Sequence, residues 1–311
     1  MPEDEGSWGD LFILFATASG GVRRNRLSDF TNIMANGKIA MKLDEGDQLI
    51  GVQTCTEDED IMLAADSGKS IRFPVTDVRV FSGRTSTGVR GIRLADGQKI
   101  VSMTTLNHIE LETDIRDAYL RMSKAQRRQE GGEDDNGADE AAAAVNGENT
   151  QIALSEEEFE KLAETEEFIL SVTENGYGKR TSAYEYRITK RGGQGVVNIT
   201  TEGRNGPVVA SFPVEDSDQI MLVTNGGKII RSPVADIRIA GRSTQGVTLF
   251  DTADDEQVVS VAHLKETDNA EEHDEAEDGR GEEPVVVAEA TSEQSNETDT
   301  GGEVDDAAGD A

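Results

Sequence analysis

The feature that most constrains this chain is that it repeats itself. Four segments share one pattern: FILFATASGGVRRNRL from Phe12, IMLAADSGKSIRFPV from Ile61, FILSVTENGYGKRTSA from Phe168 and IMLVTNGGKIIRSPV from Ile220. Each opens on a short, nearly continuous apolar run, which reads as a buried strand. Each then turns at a glycine, in the pairs Ser19-Gly20, Ser67-Gly68, Asn175-Gly176 and Gly226-Gly227. Such pairs suit tight hairpins, whose central residues need positive φ. An arginine follows four residues after each glycine: Arg24, Arg72, Arg180 and Arg231.

A second glycine block recurs downstream, as ANGKIAMKL around Gly37, STGVRGIRL around Gly88, GGQGVVNI around Gly195 and STQGVTLF around Gly246. Each unit closes on another apolar strand: LIGV at 49–52, IVSM at 100–103, VVAS at 208–211 and VVSV at 258–261. Gly20 to Gly68 is 48 residues and Gly176 to Gly227 is 51. That period, with several strands per unit, is a propeller signature. One unit alone cannot bury both faces of its sheet, so neighbours must stack. The expected fold is all-β: a propeller-like β-pinwheel of about four repeated blades, each of about four strands.

The expected boundaries are an N-terminal extension over 1–9, two blades over 10–108, an acidic insertion over 109–165, two blades over 166–265 and an acidic tail over 266–311. In the insertion, residues 115–128 read as a helix and 129–151 as a disordered loop. Ser155 and Glu158 have the spacing of a capping box opening a second helix. The tail lacks aromatics and reads as disordered.

The net charge of −32, taken as a total, argues against nucleic acid, since a polyanion repels DNA. Its distribution reverses that inference. Residues 10–108 carry 12 basic and 12 acidic side chains, and residues 166–264 carry 10 and 13. The excess acid sits in 109–165, with 6 and 16, and from 265 onward, with 2 and 18. Acids outnumber bases about two to one, which suggests a salt-adapted organism. One cysteine, Cys55, excludes an intrachain disulfide and fits a reducing compartment. The acidic N-terminus is no signal peptide, and no apolar run reaches membrane-spanning length, so a cytoplasmic location is expected.

Catalytic motifs do not emerge. Gly68-Lys69-Ser70 resembles the end of a phosphate-binding loop, but Leu63 stands where that loop needs glycine. His108 and His263 follow the closing strands of two repeats, which marks repeat correspondence and not a metal pair. The bases carry more information. They are Arg23, Arg24, Lys38, Lys42, Lys69, Arg72, Arg84, Arg90, Arg93, Lys179, Arg180, Lys190, Arg191, Lys228, Arg231 and Arg242, near the hairpins and the second glycine blocks. On a propeller, repeated bases form an arc that can follow a curved phosphate backbone. Aromatics do not alternate with them, so duplex backbone contact fits better than stacking on single strands.

Several of these stretches resemble the C-terminal domain of the DNA gyrase A subunit: MKLDEGDQLIGV at 41–52, TSTGVRGIRL at 85–94, NGYGKRT at 175–181 and GRSTQGV at 241–247. The resemblance covers about 200 residues and implies the last four blades of a six-bladed pinwheel that wraps duplex DNA. It implies a DNA-wrapping part of an ATP-dependent type II topoisomerase, partnered in a heterotetramer by the B subunit, with the rest of the A subunit completing the assembly. The resemblance assigns no cofactor to this chain and places ATP and Mg on the other parts. The family's Q-R-R-G-G-K-G box is missing; Lys190-Arg191-Gly192-Gly193-Gln194-Gly195 is an echo in another blade. The family's nucleophilic tyrosine follows an arginine, whereas Tyr119, Tyr177, Tyr184 and Tyr186 follow Ala, Gly, Ala and Glu. The chain therefore reads as a fragment of a longer gene product. The alternatives are the C subunit of topoisomerase IV and a propeller-like protein-binding scaffold.

Overall fold

The computed structural model describes residues 5–129, except 32 and 34, and 153–265, except 254. The loop expected over 129–151 falls almost wholly outside these residues, and the tail expected over 266–311 falls entirely outside them.

The first blade contains β1 (Phe12–Thr17), β2 (Gly21–Arg26) and β3 (Leu49–Cys55). The second contains β4 (Glu59–Ala65), β5 (Lys69–Pro74), β6 (Val89–Arg90) and β7 (Ile100–Asn107). Helices α1 (Thr113–Gln129) and α2 (Glu156–Glu164) follow. The third repeat supplies β8 (Phe168–Thr173), β9 (Tyr177–Ser182), β10 (Val196–Val197) and β11 (Val208–Val214). The fourth supplies β12 (Gln219–Thr224), β13 (Ile229–Pro233), β14 (Val247–Thr248) and β15 (Val258–Leu264).

The sheets are not the four repeats taken one at a time. Their orders are β3-β1-β2-β6, β7-β4-β5-β10, β11-β8-β9-β14 and β15-β12-β13. Each of the first three sheets is completed by a two-residue strand from the following repeat. Val89 pairs with Val22, Val196 with Ser70 and Val247 with Gly178. The fourth sheet has three strands. The four expected strands per blade thus hold for three blades, through exchange between repeats.

The exchange explains the second glycine block. Gly195 lies just before β10 with φ +74, and a Cβ there would sit 2.4 Å from the Ser70 carbonyl oxygen. Gly246 stands 2.4 Å from the Gly178 oxygen in the same sense. The backbones approach so closely that only glycine fits.

Stacking accounts for the apolar runs. Every residue of β1 is buried. Leu14 and Ala16 join Leu63, Ile71 and Ile92 in the core between the first two blades. Ile13 and Phe15 point the other way and are covered by Trp8, Leu27, Phe30 and Met41. Between the third and fourth blades, Leu170 and Val172 pack with Ile220, Leu222 and Val258. β13, in the last blade, alternates between exposed and half-buried residues, as a strand with one solvated face does.

In the insertion, Ser155 accepts the Glu158 N–H while the Glu158 carboxylate accepts from the Ser155 N–H, the reciprocal capping box expected from the spacing. α1 and α2 pack Tyr119 and Phe159 against Tyr184 of the third blade.

Candidate nucleic-acid interface

Five of the basic residues singled out by the repeat pattern lie in the interior, which corrects their reading as phosphate contacts. Arg23 and Lys179 are 0% exposed, and Arg24, Arg72 and Arg180 are buried. Their polar atoms are spent inside the protein. Arg23 Nη1 donates to the Ser86 carbonyl at 2.6 Å, and Lys179 Nζ donates to the carbonyls of Gly241 and Arg242. Arg72 Nε bonds Asp60 at 2.7 Å, and its Nη1 and Nη2 donate to the carbonyls of Ala183 and Asn107. Arg180 bonds the Ile237 and Ala235 carbonyls and the Asp216 carboxylate. Arg24 pairs with Glu57 at 3.0 Å.

The physical reason is the next blade. Val80, Ile188 and Ile239 form parallel bridges with Arg24, Arg72 and Arg180, which covers those arginines. Arg231 occupies the same place in the fourth repeat, where no following repeat lies over it, and it is exposed. Burial, then the charge of Arg79, pulls the Arg23 guanidinium below its ordinary pKa.

The bases near the second glycine blocks behave differently. The exchanged strands and the loops before them form a seam running from blade to blade. Lys42 N–H donates to the Ser86 carbonyl at 3.3 Å, Arg93 N–H to Gly193 at 2.7 Å and Thr200 N–H to Thr244 at 3.1 Å. Arg191 Nη1 clasps the carbonyl of Arg90 at 3.0 Å, and Arg242 Nη1 clasps that of Val197 at 2.7 Å. Arg84 stands at the same repeat position, and its Nη1 reaches the Asp29 carbonyl at 3.4 Å.

This stitching brings Arg90, Arg93, Lys190 and Arg191 together from two repeats. Arg90, Arg93 and Lys190 are exposed, as are Lys42 and Lys69. Lys69 joins the seam through its pairing with Val197. Lys38 is half-buried and bonds the Asp29 carbonyl at 2.9 Å. Lys228, at the open edge, pairs with Glu256 at 2.5 Å. The clasping guanidiniums of Arg191 and Arg242 are partly exposed, so each can fix the seam and still present charge outward.

One repeated set of bases escaped the sequence reading: Arg79, Arg187 and Arg238, one residue before the bridging Val80, Ile188 and Ile239. The signal was available, because each stands in an acid–apolar–Arg–β-branched tetrad: Asp77 to Val80, Glu185 to Ile188 and Asp236 to Ile239. Arg204 was also missed; its Nη2 donates to the Gly246 carbonyl at 3.0 Å and its guanidinium lies over Tyr177. The histidines hold equivalent places, as their spacing suggested. His108 bonds Asp60 at 2.7 Å and His263 bonds Asp218 at 2.6 Å.

Sheets stacked face to face, each closed by a strand from the next repeat, define a propeller of the pinwheel type. The family model described as DNA gyrase C-terminal domain, beta-propeller, matches residues 12–56, 59–107, 167–215 and 218–265, and the chain belongs to that family. The DNA gyrase A subunit of Granulibacter bethesdensis is 51% identical over 278 residues, 88% of this chain and 30% of that protein. The Salmonella typhimurium DNA gyrase A subunit is 36% identical over 262 residues, 84% and 23%. The chain thus spans less than a third of these relatives' length. A solved DNA gyrase A C-terminal domain matches with TM-score 0.57 at 22% identity, over 83% of this chain and 67% of that one. A topoisomerase IV C-terminal domain matches with TM-score 0.59 at 20% identity, over 82% and 62%.

Proposed function

We propose that this module binds duplex DNA along its basic seam and bends it, as the wrapping part of a DNA gyrase A subunit. The observation that carries the reading is the seam, where Arg90, Arg93, Lys190 and Arg191 converge and Arg242 continues the line onto the next repeat. Charges placed by backbone hydrogen bonds at successive blades suit a phosphate backbone and read no base sequence. Bending about 20–30 bp by 40–90° costs on the order of 1–6 kcal/mol, so wrapping needs several such contacts at once.

In the assembled enzyme the wrapped segment would be delivered to a cleavage gate on the rest of the A subunit. The B subunit, with ATP and Mg, would drive strand passage and negative supercoiling in the cytoplasm. This chain's share is the handedness of the bound DNA.

A plasmid topology assay tests the proposal. The protein is bound to relaxed circles, a nicking-closing enzyme reseals them, and the linking number is read after protein removal. A protein-dependent change in linking number supports wrapping. Binding with unchanged linking number sinks it.

A further inference from the structure

At each of the three strand exchanges the same parts meet. The donor is a positive-φ glycine followed by two pairing residues, as in Gly195-Val196-Val197. The acceptor is a hairpin glycine whose carbonyl takes two N–H groups from the residues just beyond. Gly20 accepts from Gly91 and Ile92, Gly68 from Asn198 and Ile199, and Gly176 from Leu249 and Phe250. The fit is tight: a Cβ on Gly68 would lie 2.2 Å from the Ile199 carbonyl oxygen.

One donor and one acceptor are left over. Gly37-Lys38-Ile39 is the donor of the first repeat. Gly37 keeps the positive φ of +79, yet a Cβ there would meet nothing within 4 Å, and Ile39 is 73% exposed. Gly227 is the acceptor turn of the fourth repeat. Its φ is +78, it too has nothing within 4 Å, and Ile229 beside it on the open edge is 62% exposed. The two do not meet within one molecule.

We propose that the open edge of β13 takes the Gly37–Met41 segment of a second copy, so that chains associate head to tail. The second copy is the occupant because donor and acceptor stand on the same chain in complementary register. The three internal pairings, Val22 with Val89, Ser70 with Val196 and Gly178 with Val247, place Lys38 opposite Ile229. The neighbouring pairs, Gly21 with Arg90, Lys69 with Val197 and Tyr177 with Thr248, place Ile39 opposite Lys228. No like charges face each other, and Lys228 is already paired with Glu256. The contact is heterologous, so it extends into chains instead of closing as a twofold dimer. It is also small, so association is weak and concentration-dependent.

Sedimentation velocity of the whole chain, from about 1 to about 100 µM, is the test, a range suited to a small interface. The parent is expected to grow with concentration. Gly37→Ala should abolish that growth, since a Cβ at the three occupied donor glycines points at an acceptor carbonyl oxygen 2.4 Å away. Gly97→Ala is the matched control: Gly97 has φ +81, open space around it and no place in the interface. Equal thermal melts for the two variants would show that both fold. Oxidising Lys38→Cys/Ile229→Cys should give a ladder of cross-linked oligomers, because Cys55 is buried. A parent that stays monomeric throughout, equal association of the two alanine variants, or no ladder would each overturn the proposal.

Discussion

Arg72 and Asp60 form an ion pair in the interior, Nε to Oδ2 at 2.7 Å, with side-chain exposures of 4% and 0%. The pair binds the second blade to the third, because the same guanidinium donates to the Ala183 carbonyl. Removing one partner strands a buried charge, which costs roughly 3–5 kcal/mol. Arg72→Ala should therefore lower the urea midpoint sharply while the folded fraction keeps its DNA affinity. Arg231→Ala, at the equivalent but exposed position, should change stability by no more than about 0.5 kcal/mol. A weaker DNA complex with unchanged stability for Arg72→Ala would return that residue to the DNA surface.

Arg90 and Lys190 are the bases to remove for DNA binding, because both are exposed on the seam. Removing one phosphate-binding base should flatten the slope of log K against log salt by about 0.9. Arg90→Gln and Lys190→Gln should weaken binding alike for unrelated duplex sequences. The check is a fluorescence-anisotropy titration over a salt series, and an unchanged slope would place the DNA elsewhere.

The exchanged strands carry stability as well as shape. Gly195→Ala puts a Cβ 2.4 Å from the Ser70 oxygen at φ +74. Strain and overpacking together should cost roughly 2–4 kcal/mol. Denaturant melts would show it, and a silent substitution would mean that β10 detaches readily from β5.

Cys55 should be inert in the native state. Burial, then the charge of Glu59, pushes its thiol up to about 12 from the ordinary 9.0. The thiolate is the reactive form, so iodoacetamide at about pH 8 should label only unfolded chains. Because the folded thiol is harder to ionise, its contribution to stability is full below pH 9.0 and falls as pH rises toward 12. Mass spectrometry of timed alkylation reads both effects, and rapid labelling of native protein would contradict the burial.

The hairpins, the apolar strands and the capping box were legible because each rests on a local requirement. Asn175-Gly176 announces a turn, and FILFAT announces a strand covered on both faces. β6, β10 and β14 were not legible as strands, because two residues carry no periodicity and their partners lie in another repeat. The exposed bases could not be sorted from the buried ones for a related reason. Arg24, Arg72, Arg180 and Arg231 look alike in the repeat, and only the first three have a following repeat laid over them.

The sequence by itself determined the unit: its turns, its buried strands, its period and its family. Those follow from φ preferences and apolar patterning over a few residues. Tertiary structure decided which repeat completes which sheet, which arginines become internal struts, and which bases converge on one seam. Those outcomes depend on what the next blade covers, and a residue's own repeat does not encode what lies over it.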